Sequence, residues 1–222
     1  MKYAVFQCSR IGATHVKKAL PRQDRAASMD EKGLQIAVVA DGHGSRRHFR
    51  SDYGAETAVE VASDVIGNMF KEHNGIVFED SFFTEIKHRI ATEWQKRIRD
   101  HYEQNPLNDA EIEEQLKLLG DERLEKLING TDALIPYGTT LCAVFHCDAG
   151  WGSVQIGDGC LTTVEHDGSF LWPMPKSNIN EGNKTTSLCM KDPMIDFRHC
   201  WGEDHPAALL VYTDGIEKVF PP

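Results

Sequence analysis

Three short apolar runs in this sequence each end in Asp-Gly, and they constrain the fold more than any other feature. Leu-Gln-Ile-Ala-Val-Val-Ala (34–40) precedes Asp41-Gly42, Ser153-Val154-Gln155-Ile156-Gly157 precedes Asp158-Gly159, and Leu209-Leu210-Val211-Tyr212-Thr213 precedes Asp214-Gly215. Runs of this length, rich in β-branched residues and closed by a turn dipeptide, read as buried strands. Each strand would deliver a carboxylate at its end, and each glycine allows a tight turn and a close backbone approach. Asp-Gly is a common turn dipeptide, so one instance carries nothing. Carboxylates converging from several strand ends make an oxygen-rich site, which hard cations such as magnesium and manganese prefer.

The rest of the chain supplies helices and further strands. Residues 3–8 read as a strand, and 12–25, interrupted by Pro21, as a loop. From Asp52 to Phe70 the residues Ala55, Ala58, Val59, Ala62, Val65, Ile66 and Met69 fall at helical spacing. Ser81 to His101 repeats the pattern with Phe82, Phe83, Ile86, Ile90, Trp94 and Ile98. Asn108 to Ile128 is charged and helical, broken near Gly120; its mixed charges read as a solvated face. After Pro136 the spacing changes to strands at 139–147, 151–156, 160–165, 169–172 and 207–212, with turns between them whose brevity suggests antiparallel hairpins. Residues 178–187 are polar and read as a loop. Strands, then helices, then a strand meander predict a layered α+β domain with antiparallel sheets.

Composition narrows the function classes. The 222 residues suit one domain or two small ones, with 41% hydrophobic and 26% charged residues as in ordinary globular chains. A formal charge of −10 opposes nucleic-acid binding, which rests on neutralised phosphates. No apolar run approaches the roughly 20 residues of a membrane span, and the N-terminal apolar stretch is too short for a signal peptide. The six cysteines include no CxxC pair and read as buried reduced thiols of a cytoplasmic protein. A zinc site at Cys189, His199 and Cys200 would need poor ligand geometry, because two of the three are adjacent. A P-loop, a GxSxG elbow, an HExxH helix and a thiolate loop are all missing from the sequence, which favours a metal-activated water over a side-chain nucleophile. His43, two residues beyond Asp41, could donate a proton to a leaving group or serve structurally. Arg46, Arg47, His48 and Arg50 could hold an anion or form a solvated loop.

Read together, these segments resemble a known family. Val38-Val39-Ala40-Asp41-Gly42-His43-Gly44-Ser45 resembles the DGHGG signature of protein phosphatase 2C. Tyr137-Gly138-Thr139-Thr140-Leu141 resembles its SGTTA segment, Val154 to Gly159 its NVGDSR segment, and Leu210 to Ile216 its LASDGL segment. Gln23-Asp24-Arg25 resembles the step before the first signature. The spelling is nearest the bacterial branch, including Arg50-Ser51-Asp52 and residues 183–188, and the likeness spans about residues 3–220.

The resemblance implies a four-layer αββα sandwich of two antiparallel sheets flanked by helices, and metal-dependent hydrolysis of phosphoserine and phosphothreonine in proteins. Asp41 would bridge two magnesium or manganese ions, with the Gly42 carbonyl on one and Asp214 on the other. Asp158 would serve a third, weaker ion, and Asp24 would act through bound water. His43 would be the general acid. The implied partner is a phosphorylated protein, with no nucleic acid and no membrane. The alternatives are a pseudophosphatase acting as a binding module and a phosphatase of small metabolites. The family pattern also has a last Asp in a D-N or D-D step some tens of residues after the Asp214 segment. The sequence ends at Pro222 without one, so residues 1–222 read as a domain lacking its C-terminal end. Ala19 stands near the position of the family's phosphate-binding Arg, where His15, Lys17, Lys18 or Arg22 could substitute, and Gln23 replaces a frequent Glu.

Overall fold

Alternation sets the centre of the fold. Along β2 (Leu34–Ala40) the residues Leu34, Ile36, Val38 and Ala40 are buried and those between them half-buried, so the strand is covered on both faces. The computed structural model describes residues 3–12, 16–17, 21–31, 33–175, 177, 179–180 and 185–214. Among them the larger sheet joins β1 (Arg25–Glu31), β2, β3 (Leu141–Cys147), β4 (Gly150–Ile156) and β7 (Arg198–Gly202) in the order β1-β2-β3-β4-β7. The smaller sheet joins β5 (Cys160–Val164), β6 (Phe170–Leu171) and β8 (Ala208–Tyr212) in the order β6-β5-β8. All of these pairings are antiparallel.

Period-2 geometry divides the core between two layers. Ile36, Val38, Ala40, Leu141, Ala143, Phe145, Val154 and Ile156 pack toward the helices. Their neighbours Ala37, Val39, Cys142, Val144 and Trp151 point the other way and meet Leu161, Leu209 and Val211 of the smaller sheet. On the helical side lie α1 (Ser51–His73) and α2 (Asp80–Gln104), which bury the apolar residues whose spacing predicted them. α3 (Asp109–Leu119) and α4 (Asp121–Ile128) follow, separated at Gly120 as expected. Asn108 starts α3 with a capping box closed by Glu111. The Tyr102 hydroxyl of α2 donates to the Leu127 carbonyl of α4 over 2.6 Å, tying the two together. This is the α+β architecture of two antiparallel sheets with flanking helices.

α1 approaches the 3-10 turn Ile135–Tyr137 closely because residue 54 is glycine: a Cβ there would strike the Tyr137 carbonyl. The Trp94 indole of α2 donates to the Gly54 carbonyl over 2.9 Å, clamping both helices at that point.

Four expectations change. Residues 3–8 form no strand; the segment runs beside β8 and is tied by the Tyr3 hydroxyl to the Pro206 carbonyl. β1 and β7 were not expected, since neither is apolar enough to announce itself. The turn 157–159 is not a hairpin, because β4 belongs to the larger sheet and β5 to the smaller. Cys8 is exposed, unlike the buried Cys142, Cys147 and Cys189. The polar stretch 178–187 lies partly outside the described residues, as do His15, Lys18 and Gly215.

Candidate metal centre

The ends of β2, β4 and β8 bring Asp41, Asp158 and Asp214 to one edge of the sandwich, and Asp24 joins them from the start of β1. Their mutual proximity is felt by the Asp41 carboxyl. Burial, then the charges of Asp24, Asp214 and Asp158, and a hydrogen bond with Asp24 push it up to about 8. A hydrogen bond between two carboxyls requires a proton on one of them. Among the described residues no group of three or more His, Cys, Asp or Glu side chains stands close enough to hold an ion. In kind, however, four carboxylates and adjoining backbone carbonyls make an all-oxygen donor set, the chemistry of hard divalent cations.

Asp41 is fixed by backbone and hydroxyl groups. Its N–H donates to Thr140 Oγ1 over 3.0 Å, and its carbonyl accepts from the Thr140 N–H at 2.9 Å and Thr139 Oγ1 at 3.0 Å. The Tyr137-Gly138-Thr139-Thr140 segment thus brackets the acid. Gly42 is buried and bridges to Thr139, and its N–H reaches the Gln23 carbonyl at 3.4 Å. Gln23 Nε2 donates to the His43 carbonyl over 3.2 Å and to Ser51 Oγ over 2.8 Å. The neutral amide therefore braces the Asp41-Gly42-His43 turn against α1, a role a carboxylate cannot fill toward a carbonyl.

The His43 ring lies over Gly138 and against His48, with ring centroids 4.9 Å apart. Burial, and then the His48 charge, lower its pKa to about 4, so the imidazole is neutral near pH 7. His48 is engaged by the Ile135 carbonyl. Arg50 is engaged within the protein. It forms a bidentate pair with Glu111 at 2.9 and 2.8 Å and donates to the Tyr137 hydroxyl at 2.9 Å. Arg46 and Arg47 are exposed.

Of the residues weighed for the phosphate, Lys17 and Arg22 are exposed. Sequence reasoning missed Arg10. It lines a cavity of about 380 Å3 whose walls include Asp24, Tyr212 and Thr213, next to Asp214. Arg25 also lines that cavity but is taken up by Glu56 at 3.7 Å and by the Arg22 and Asp24 carbonyls. No local pattern marks Arg10, because only the fold places it on the same cavity wall as Asp24.

The cysteines and His199 lie elsewhere. Burial pushes the Cys200 thiol up to about 12 and raises Cys142 and Cys189, so none is a ready thiolate. His199 is held by Lys87 and Asp80, both at 2.9 Å, and so is engaged away from any zinc site with Cys189 and Cys200.

No curated protein sequence matches the chain. The Stage II Sporulation E family protein from Thermanaerovibrio acidaminovorans superposes with a TM-score of 0.50 at 13% identity, covering 84% of this chain and 74% of that one. The S. agalactiae serine/threonine phosphatase gives 0.49 at 16% identity, covering 90% and 76%. The catalytic domain of the serine threonine protein phosphatase PstP, in complex with two manganese ions, gives 0.46 at 14% identity, covering 87% and 71%. The sequence pattern of protein phosphatase 2C itself matches residues 11–222. With nearly the whole chain matched, the chain belongs to the protein phosphatase 2C family.

Proposed function

We propose that this protein hydrolyses phosphoserine and phosphothreonine in phosphorylated proteins, using magnesium or manganese. The observation that carries the reading is the gathering of acids around Asp41, whose carboxyl is raised to about 8 by burial first and then by the charges of Asp24, Asp214 and Asp158. Mutually repelling acids gathered at strand ends are costly to keep, and divalent ions offset that repulsion. Asp41, the Gly42 carbonyl and Asp214 would hold two ions, with Asp24 acting through water and Asp158 serving a third. Bound there, divalent ions supply positive charge for the phosphate oxygens and make water a better nucleophile at neutral pH.

The chain's own groups do the rest. Thr139 and Thr140 hold Asp41 in place, which limits reorganisation during the reaction. Arg10 opens into the cavity beside Asp24 and is the cation suited to a phosphate monoester there. Hydrolysis breaks the bond between phosphorus and the serine or threonine oxygen, which leaves with a proton. His43 would deliver that proton; its ring, neutral at rest, must first take one up within the turnover. The phosphoprotein substrate and the cytoplasmic setting belong to this same proposal.

Manganese-dependent phosphate release from a phosphothreonine peptide tests the reading. Asp41→Asn should lower the rate about 100-fold or more, the scale of losing charge stabilisation in a transition state. Release that ignores manganese, or an unimpaired Asp41→Asn protein, would remove the catalytic assignment. Metal binding with no turnover on any substrate would point to a binding module, and faster release from sugar phosphates than from the peptide to a metabolite phosphatase.

A further inference from the structure

The turn that carries Asp158 crosses from one sheet to the other, so no strand ladder holds it. β4 ends at Ile156 in the larger sheet and β5 begins at Cys160 in the smaller. Gly157 has φ of +95°, a conformation side chains disfavour, and a Cβ there would come within 2.5 Å of the Thr140 methyl. Asp158 itself is exposed. A carboxylate on so short a glycine-flanked crossing needs outside support to keep one direction.

That support comes from a buried polar network. The Gly157 N–H donates to Thr186 Oγ1 at 3.1 Å. The Gly157 carbonyl accepts from Asn180 Nδ2 at 2.9 Å and Arg198 Nη2 at 2.6 Å. Gln155 Nε2 donates to the Gly159 carbonyl at 2.5 Å. Thr185 Oγ1 donates to Asp158 Oδ2 at 2.9 Å. Three of these partners converge on one carboxylate, Asp196, which is 6% exposed. Asp196 accepts from Thr186 Oγ1 at 2.7 Å and from Asn180 Nδ2 at 3.3 Å, with Arg198 Nε at 3.6 Å. Ser177 Oγ reaches both of its oxygens, at 2.9 and 3.0 Å. A buried carboxylate is expensive unless it is paired and hydrogen-bonded, and replacing such a pair by apolar groups is often neutral for stability. Here the carboxylate orients two donors, Asn180 and Arg198, and one acceptor, Thr186, onto the backbone of Gly157 beside Asp158, while Thr185, next to Thr186, holds the Asp158 side chain.

We propose that Asp196 is a positioning residue for Asp158: through Thr186, Asn180 and Arg198 it fixes the Gly157-Asp158-Gly159 crossing and so the aim of the Asp158 carboxylate. The proposal rests on the reading of Asp158 as a metal carboxylate.

The test is manganese binding to the full chain, followed by calorimetric titration and by the electron paramagnetic resonance of free ion, together with thermal melting. Asp196→Asn keeps the shape but turns an amide N–H toward donors. It should weaken one class of ion about 10- to 100-fold, the usual cost of disturbing a group that orients a ligand, and leave the other ions bound as in the parent. Thr186→Val should do the same, whereas Thr186→Ser, which keeps the hydroxyl, should bind like the parent. Asp158→Asn should weaken the same class, and adding Asp196→Asn to it should cost nothing more. If Asp158→Asn loses that ion but Asp196→Asn and Thr186→Val do not, the positioning role is wrong while the Asp158 assignment stands. If Asp158→Asn binds every ion normally, the assignment itself fails and takes the proposal with it. A loss spread over all ions, accompanied by a lower melting temperature, would reduce Asp196 to a structural residue.

Discussion

Gln23 illustrates how much one amide settles at the residue scale. Read against the family pattern, a glutamine where glutamate is frequent suggests weaker metal binding. In the fold its Nε2 donates both to the His43 carbonyl and to Ser51 Oγ, joining the first signature turn to α1. Gln23→Leu removes both donors, and a net loss of about 1–3 kcal/mol is expected, read as a lower denaturant midpoint in chemical unfolding. An unchanged midpoint would show that the brace is dispensable. Asp41, Asp158 and Asp214 stood out in the sequence because strand, aspartate and glycine follow one another locally, whereas Asp24 came only with the family resemblance. Arg10 and Asp196 did not stand out, since each acquires meaning only from residues distant in the chain. Arg50 was ambiguous for the same reason: its partners Glu111 and Tyr137 come from α3 and from the turn before β3.

At the scale of elements, apolar spacing was a reliable guide where one whole face is buried. It located α1, α2, β2, β3 and β4 to within a few residues. It failed at β1 and β7, edge strands whose half-buried Arg25, Arg198 and His199 and exposed Asp30 give no alternating signal. It also promoted residues 3–8 to a strand, because an apolar run states that a segment is covered but not whether it finds a ladder. α1 meets the turn Ile135–Tyr137 with no room for a side chain at Gly54. Gly54→Ala should force that joint apart and destabilise the protein by about 1–3 kcal/mol or more, measurable as a fall in melting temperature. An alanine variant as stable as the parent would mean that α1 can shift freely at this point.

For the whole molecule, the histidines carry one response to acid. Burial is the leading cause that lowers His43, His48, His101, His146 and His199 from their ordinary value of 6.5. Below that pH the unfolded chain binds protons that the folded chain refuses, so stability is present above about 6.5 and is lost as pH falls. Asp41, raised to about 8, acts in the opposite direction in metal-free protein, because its folded form keeps a proton that the unfolded form gives up. In an Asp41→Asn variant that opposing contribution is gone and the histidines act alone. The melting temperature of that variant in chelator should therefore drop between about pH 6.5 and pH 5; a flat or rising profile would contradict the burial of these rings. Among the described residues no helix is long and apolar enough to cross a membrane.

The crossing from β4 to β5 makes the separation of the acids depend on interlayer thickness. Asp41 rides on one sheet, while Asp158 sits on the seam between that sheet and the next. What spaces the layers is ordinary hydrocarbon, chiefly Val144, Leu161, Leu209 and Val211. Enlarging one of these methyl-bearing side chains would act as a shim, prising the two carboxylates apart without altering either. The reach of this chain toward an ion is thus gauged by the filling of its sandwich, several residues away from any oxygen that would bind it.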